Sequence, residues 1–196
     1  MEGILEWGAL LVISVISAAG YAGIFVLMAL ESANIPIPSE IIMPFSGFLV
    51  SQERFSFFWV VLWGAVGNLA GSLVSYYLGY VGARPFLIQK GYGELGERFF
   101  NRFGSLAVFV GRLLPVVRTF ISLPAGIAKM NVWKFSLYTF VGSFLWSWAL
   151  TYVGVVAGEH WNFLEPYFRT FDWLIIIVLV LLVLWWIKKH FIKRET

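Results

Sequence analysis

The 196-residue chain contains no cysteine and only two histidines. The absence of cysteine excludes disulfides, thiolate metal sites and cysteine nucleophiles. His160 and His190 fall in an expected outer loop and a basic tail, so neither accompanies a nucleophile in an apolar segment. The sequence also lacks a Gly-x-Ser-x-Gly elbow and a His-Glu-x-x-His zinc helix. We therefore expect neither an enzyme nor a metal or cofactor site.

Charged residues are scarce as well, at 13% of the chain against 60% hydrophobic residues. Soluble domains have roughly 25% charged residues, so the composition indicates an integral membrane protein. The net charge of +3 is modest, and we expect no nucleic-acid partner. The first apolar stretch follows Glu2 and Glu6 without a basic region, which disfavours a signal peptide.

The apolar stretches predict an all-α membrane protein with one membrane domain over residues 1–196. Residues 57–81 and 133–157 are long enough to cross a bilayer, which takes about 17–25 residues. Residues 4–19 and 173–187 are shorter and predict a first helix and a last span. An amphipathic helix on the inner surface is predicted over residues 84–103, and a basic tail over 188–196.

Two further apolar stretches, 21–50 and 104–128, contain prolines and charges and do not resemble plain spans. Proline breaks helices, and the freed backbone groups at membrane depth must be buried in protein or line a watery cavity. Both stretches are therefore predicted to be re-entrant helical hairpins. The residues that would break and support them are Pro36, Pro38, Pro115, Thr119, Pro124 and Gly126.

The distribution of basic residues predicts the orientation in a cell membrane. Cytoplasmic segments are enriched in Lys and Arg, and the tail 188–196 is strongly basic. Placing this tail and the N-terminus in the cytoplasm also puts most other basic loops inside. The first hairpin then enters from outside and the second from inside.

An internal repeat supports two opposed halves. Gly67, Ser72, Tyr77 and Gly79 recur 75 positions later, as Gly142, Ser147, Tyr152 and Gly154. Each copy follows a predicted hairpin, and the two spans would run in opposite directions. Inverted repeats with interrupted segments are typical of transporters, although chance identity in glycine-rich helices remains the alternative. Small-residue helix faces are also compatible with a homodimer.

Arg112 and Arg118 are the most informative residues, because both lie within the apolar stretch 104–128. Arginine at membrane depth is costly, and its planar fork of donors suits phosphate. Glu31 and Glu40 are the acidic counterparts in the first hairpin. The arginines could bind an anion while the glutamates carry protons, or all four could form permanent structural ion pairs.

These motifs resemble the DedA family of bacterial membrane proteins. The resemblance is carried by Glu31, the run Pro36-Ile-Pro38-Ser-Glu40, the run Gly111 to Phe120, and Leu123-Pro124-Ala-Gly126. It implies two opposed re-entrant hairpins, essential acidic positions at Glu31 and Glu40, and an essential basic pair at Arg112 and Arg118. Several family members have aspartate where this chain has Glu40.

The resemblance also implies a function in the bacterial cytoplasmic membrane. Such a protein would flip undecaprenyl phosphate, a polyprenyl phosphate lipid, from the outer to the inner leaflet, with protons as a coupling partner. Two alternatives stay open at this point. The four charges could serve a proton-coupled antiporter of small solutes, or the protein could be a scaffold that transports nothing.

Overall fold

The computed structural model describes residues 2–35, 37–83, 104, 106–114 and 117–158, and the structural statements below concern these residues. They belong to one compact unit, Met1–Gly158. The predicted amphipathic segment 84–103, the span 173–187 and the tail 188–196 lie outside the described residues. So do Pro36, Pro115 and both histidines.

Every regular element in the described part of the chain is a helix, which confirms the all-α prediction at that level. In chain order the helices are α1 (Glu2–Ala19), α2 (Tyr21–Ser32), α3 (Ser39–Ser51), α4 (Phe57–Tyr77), α5 (Leu106–Arg112), α6 (Val117–Phe120), α7 (Ser122–Ile127) and α8 (Val132–Ala157). A π-helical turn, Leu78–Ala83, continues α4.

Two of the described helices are long and apolar enough to cross a membrane. They are Phe57–Val81, with 25 residues, and Val132–Ala157, with 26. The N-cap of the second is Asn131, whose side-chain oxygen accepts hydrogen bonds from the amides of Trp133 and Lys134. This cap satisfies amide groups that have no partner within the helix.

Polar and apolar side chains are distributed in the opposite way from a soluble domain. Large apolar side chains such as Trp133 and Val156 are exposed, whereas Asn68, Arg112 and Ser143 are at most 1% exposed. Lipid is a favourable surrounding for the first group, and charges at membrane depth normally face the protein interior. The described structure therefore has an apolar exterior around a polar centre, as expected of a membrane protein.

Each predicted hairpin stretch contains a break between helices. In the first, α2 and α3 are separated by residues 33–38, where Asn34 has a positive φ of 69° and Pro38 is the N-cap of α3. In the second, the short helices α5, α6 and α7 follow one another, separated by residues 113–116 and by Ile121. These breaks bring the candidate charged residues to helix ends.

Glycines allow the segments after the breaks to pack closely on the two long helices. Gly47 of α3 lies against the carbonyl of Thr151 in α8, and Gly126 of α7 lies against the carbonyl of Tyr76 in α4. A Cβ atom at either glycine would collide with that backbone oxygen. Because the obstacle is backbone and not a side-chain tip, only glycine permits this approach.

Candidate functional site

Arg112 lies at the C-terminal end of α5 and is 1% exposed. Its Nη1 donates to the backbone carbonyl of Arg118 at 2.5 Å, and its Nη2 donates to the hydroxyl of Ser122 at 2.5 Å. A longer contact of 3.5 Å joins Nη1 to the side-chain oxygen of Asn68 in α4. One guanidinium therefore connects α5 with α6, α7 and a membrane-spanning helix.

Arg118 lies on the short helix α6 and is 2% exposed. Its Nη2 is 3.3 Å from the Glu31 carboxylate, so this ion pair joins the two predicted hairpin segments. The guanidinium carbon also lies 5.1 Å from the centre of the Trp146 ring in α8. Its Nη1 has no hydrogen-bond partner among the described residues.

The two glutamates occupy different surroundings. Glu31 is 5% exposed and pairs with Arg118. Glu40, in the first turn of α3, is less buried and accepts a hydrogen bond from the hydroxyl of Ser39 at 3.3 Å. No arginine contacts Glu40 in the part of the chain that the structure describes. The two glutamates therefore differ in their arginine contact: Glu31 pairs with Arg118, whereas Glu40 bonds to Ser39.

The centre of the site contains more positive than negative charge. Among the described residues, the buried charged side chains are Arg112, Arg118 and Glu31. Buried charges are costly unless they are paired and hydrogen-bonded. A second negative charge, from Glu40 or from a ligand, would balance this centre. No group of three His, Cys, Asp or Glu side chains that could hold a metal is present in the same described residues.

A polar contact between the two long helices lies next to the arginines. The Ser143 hydroxyl of α8 donates to the side-chain oxygen of Asn68 in α4 at 2.7 Å. The Ser72 hydroxyl donates to the backbone carbonyl of Asn68 at 2.6 Å. Sequence reasoning did not single out Asn68 as a site residue. The available signal was an asparagine in an apolar span, where an unpaired amide is unfavourable.

The predicted supporting residues have local roles where they are described. Pro38 precedes α3, and Pro124 lies in the first turn of α7, where a missing amide proton costs little. Gly126 makes the close contact with α4 described above. Thr119 follows Arg118 on α6. Pro44, inside α3, removes the amide that would bond the carbonyl of Glu40.

Comparison with known proteins identifies the family. The family model described as the VTT domain matches residues 37–156, which include Glu40 and both arginines. The chain belongs to this family, the DedA family. The resemblance to the DedA family seen in the sequence is therefore confirmed. This DedA-family protein is a membrane protein with buried charges between its helices.

Individual relatives cover most of the chain. It is 36% identical to the uncharacterized membrane protein YkoX of Bacillus subtilis, over 98% of this chain and 87% of the relative. It is 34% identical to undecaprenyl phosphate transporter A of the same organism, over 84% and 85% respectively. It is also 27% identical to an alkaline phosphatase-like protein of Lactococcus lactis, over 94% of each chain. No solved structure matches the chain.

Proposed function

We propose that this DedA-family protein is a lipid transporter that flips undecaprenyl phosphate, or a closely related polyprenyl phosphate, from the outer to the inner leaflet. The family and the name of the Bacillus subtilis transporter support a transporter role. The buried excess of arginine over glutamate supports an anionic head group as the cargo.

The observation that carries the proposal is the state of Arg118. This guanidinium is almost fully buried, yet among the described residues it has one hydrogen bond, of 3.3 Å, to Glu31 and an unpaired Nη1. Arginine has five N–H donors and can bind phosphate through two parallel hydrogen bonds. Arg118 therefore has the donors to exchange its contact with Glu31 for a phosphate group.

Arg112 is assigned a different part in the proposal. Two of its nitrogens are hydrogen-bonded to the carbonyl of Arg118 and the hydroxyl of Ser122, which leaves Nε for a ligand. We therefore assign it chiefly to holding α6 and α7 in position and to adding positive charge. Arg118 is the residue that we expect to grip the phosphate.

Transport would follow from exchange of ion-pair partners. When the lipid phosphate binds the Arg118 guanidinium, the Glu31 carboxylate loses its counter-ion and becomes a group that could bind a proton. Glu40, which is more exposed and has no arginine partner among the described residues, could transfer that proton to or from water. Only the head group would enter the polar centre, while the apolar tail stays in lipid.

The packing contacts support the proposed repeat as the framework for this movement. Gly47 contacts Thr151, and Gly126 contacts Tyr76. The two hairpin glycines are 79 positions apart and their two partners in the long helices are 75 positions apart, so the contacts join equivalent positions. The contacts of Gly154 with Pro44 and of Gly79 with Leu123 keep the same two offsets. Each second hairpin arm would thus pack on the long helix of the other repeat.

The proposal is tested in bacterial cells that lack their own carrier-lipid recycling transporters. The amount of undecaprenyl phosphate exposed on the outer leaflet is measured with and without this protein. We expect the protein to lower that exposure, and the Arg118→Lys variant at equal abundance to leave it high, because lysine keeps the charge but loses the fork. Unchanged exposure with abundant wild-type protein would contradict the lipid assignment and leave the small-solute antiporter as the alternative.

The name of the Lactococcus lactis relative makes hydrolysis the competing outcome. Purified protein is incubated with a short-chain polyprenyl phosphate, and inorganic phosphate is measured. A transporter should leave the lipid intact. Stoichiometric or catalytic release of phosphate, absent from the Arg118→Lys variant, would show a hydrolase and contradict the proposal.

A charge exchange distinguishes transport from a purely structural ion pair. The double variant Glu31→Arg with Arg118→Glu keeps opposite charges at the two positions that the structure pairs. A scaffold should regain its function and stability in the double variant. A phosphate transporter should remain inactive, since the cationic fork would then lie on the wrong helix.

A further inference from the structure

Four hydrogen-bond donors in the described polar centre are buried and lack an acceptor. They are Nε of Arg112, Nη1 of Arg118, Nδ2 of Asn68 and Nε1 of Trp146. All four are N–H groups, and none of these nitrogens can act as an acceptor in its normal state. The other buried atoms without a partner in the described residues are oxygens of Asn34, Thr139 and Ser147. Buried polar groups in native proteins are nearly always paired, so the four unpaired nitrogens are candidates to donate to a ligand.

The four donors belong to one connected set of side chains. Asn68 is 3.5 Å from Arg112, and Arg112 donates to the backbone carbonyl of Arg118. Arg118 in turn lies over the ring of Trp146. Trp146 is three residues after Ser143, the α8 residue that is hydrogen-bonded to Asn68. The donors thus come from α4, α5, α6 and α8, on side chains that these contacts link to one another.

The orientation of the Asn68 amide follows from its neighbours. Arginine can only donate, so the Asn68 atom that faces Arg112 must be the oxygen. The same oxygen accepts the hydroxyl proton of Ser143 at 2.7 Å. The amide nitrogen therefore points away from these two partners and keeps both of its protons unpaired.

Trp146 contacts Arg118 through its ring face and also carries an unpaired N–H group. Its ring face lies 5.1 Å from the guanidinium carbon of Arg118, a cation–π arrangement. Its indole N–H is buried and has no partner among the described residues. The same side chain therefore contacts Arg118 through its ring face and carries a further unpaired donor.

We infer that Asn68 and Trp146 are further ligand-binding residues of this site, whose N–H groups donate to the head group together with those of the arginines. The inference rests on the proposed function and extends it. The matching ligand is a phosphate monoester, because its three terminal oxygens carry up to two negative charges and accept several hydrogen bonds at once. A neutral alcohol head group would leave most of these donors unpaired.

The test compares two lipids that differ only in the head group. The full-length protein in detergent is titrated with a short-chain polyprenyl phosphate and with the corresponding polyprenol, and the ratio of the two Kd values gives the preference for phosphate. Trp146→Phe keeps an aromatic ring under Arg118 but removes the N–H. We expect a loss of about tenfold in phosphate affinity with little change for the alcohol, as for one charge-assisted hydrogen bond.

Trp148→Phe is the matched control. Trp148 lies on the same helix, is 47% exposed and stacks on Tyr152, away from the polar centre. We expect this variant to keep the wild-type preference within about twofold. A defect shared by both variants, or an equal loss for phosphate and alcohol in Trp146→Phe, would indicate packing and would overturn the inference.

Asn68→Ala tests the second donor. Its control is Ser72→Ala, because the Ser72 hydroxyl donates to Asn68, at 2.6 Å to the backbone carbonyl and 3.5 Å to the side-chain oxygen, and is not among the unpaired donors. We expect Asn68→Ala to lower the preference for phosphate about tenfold and Ser72→Ala to leave it nearly unchanged. Equal effects of these two substitutions would overturn the role of Asn68.

The outcomes separate the inference from the function on which it rests. If wild type prefers phosphate and the folded Trp146→Phe and Asn68→Ala variants do so equally, the inference fails while the proposed function stands. If wild type shows no preference for phosphate over the alcohol, the proposed function fails and the inference with it.

Discussion

The two segments that carry the charged site are built differently. The acidic segment consists of α2 and α3, with 12 and 13 residues, and the glycine Gly47 lets α3 dock on α8. The basic segment is divided into α5, α6 and α7, with 7, 4 and 6 residues. Its pieces are joined by the side chain of Arg112.

This difference shows that the two arginines are not equivalent. Short helices have few internal hydrogen bonds, and isolated ones are unstable. A buried guanidinium with several donors can compensate by bonding to the ends and side chains of neighbouring helices. Arg112 does this, whereas Arg118 reaches across to Glu31. The basic segment thus contains one arginine that holds its short helices together, Arg112, and one that is available to a ligand, Arg118.

The largest expected effect comes from removing the arginine that builds the basic segment. Arg112→Leu leaves the Arg118 carbonyl and the Ser122 hydroxyl without their donor, and we expect the free energy of unfolding to fall by about 3–5 kcal/mol. Denaturant titration in mixed micelles measures it. Arg54→Leu, at an exposed position, is the control. Equal stability of the Arg112→Leu protein would refute the structural role.

Removing the counter-ion of Arg118 should give the next largest effect. Glu31→Gln weakens a charge-assisted hydrogen bond, and we expect about 1.5–3 kcal/mol of destabilisation without lipid. Because the phosphate no longer competes with a carboxylate, added polyprenyl phosphate should raise Tm more than in wild type. Glu53→Gln, in an exposed turn, should behave as wild type. A smaller lipid-induced rise in Glu31→Gln would argue against partner exchange.

Substitution of the two equivalent glycines tests how similar the segments are where they touch the long helices. Gly47→Ala and Gly126→Ala each push a Cβ atom into a backbone carbonyl, and we expect losses of about 1–3 kcal/mol in both. Gly111→Ala is the control, since the nearest atoms to its Cβ, at 3.2–3.4 Å, belong to the side chains of Ile121 and Val117 and not to backbone. A harmless alanine at one of the two positions would show that the contacts are not equivalent.

The smallest expected effect concerns a hydrogen bond next to the basic segment. The Tyr76 hydroxyl donates to the carbonyl of Met130, just before α8. Tyr76→Phe keeps the ring and should cost about 1 kcal/mol of stability. Tyr77→Phe, at an exposed side chain whose ring contacts that of Tyr76, keeps this ring contact and should cost less. The reverse order would mean that the Met130 contact contributes nothing.

Much of the framework could be predicted from the sequence because it depends on long apolar runs and on prolines. These features indicate the two long helices and the breaks near Pro38 and Pro124. The candidate charges were equally visible, since arginine in an apolar run is unfavourable unless it has a partner. The family follows from the same residues.

The pairing of these charges could not be predicted, because it depends on how distant helices meet. Glu31 and Arg118 are 87 positions apart, and nothing local favours Arg118 over Arg112 as the partner. The contact of Asn68 with Ser143 likewise depends on where α4 crosses α8. A hydropathy pattern also does not predict the three short helices α5, α6 and α7, because it indicates one apolar stretch.

The central claim is that Arg118 exchanges Glu31 for a lipid phosphate. It is tested most directly in liposomes that contain the purified full-length protein and a labelled short-chain polyprenyl phosphate, by following the transfer of label between leaflets. The account predicts rapid transfer with wild type and with the exposed-site control Arg54→Lys, and loss of transfer with folded Arg118→Lys. Equal transfer by Arg118→Lys and wild type would contradict it.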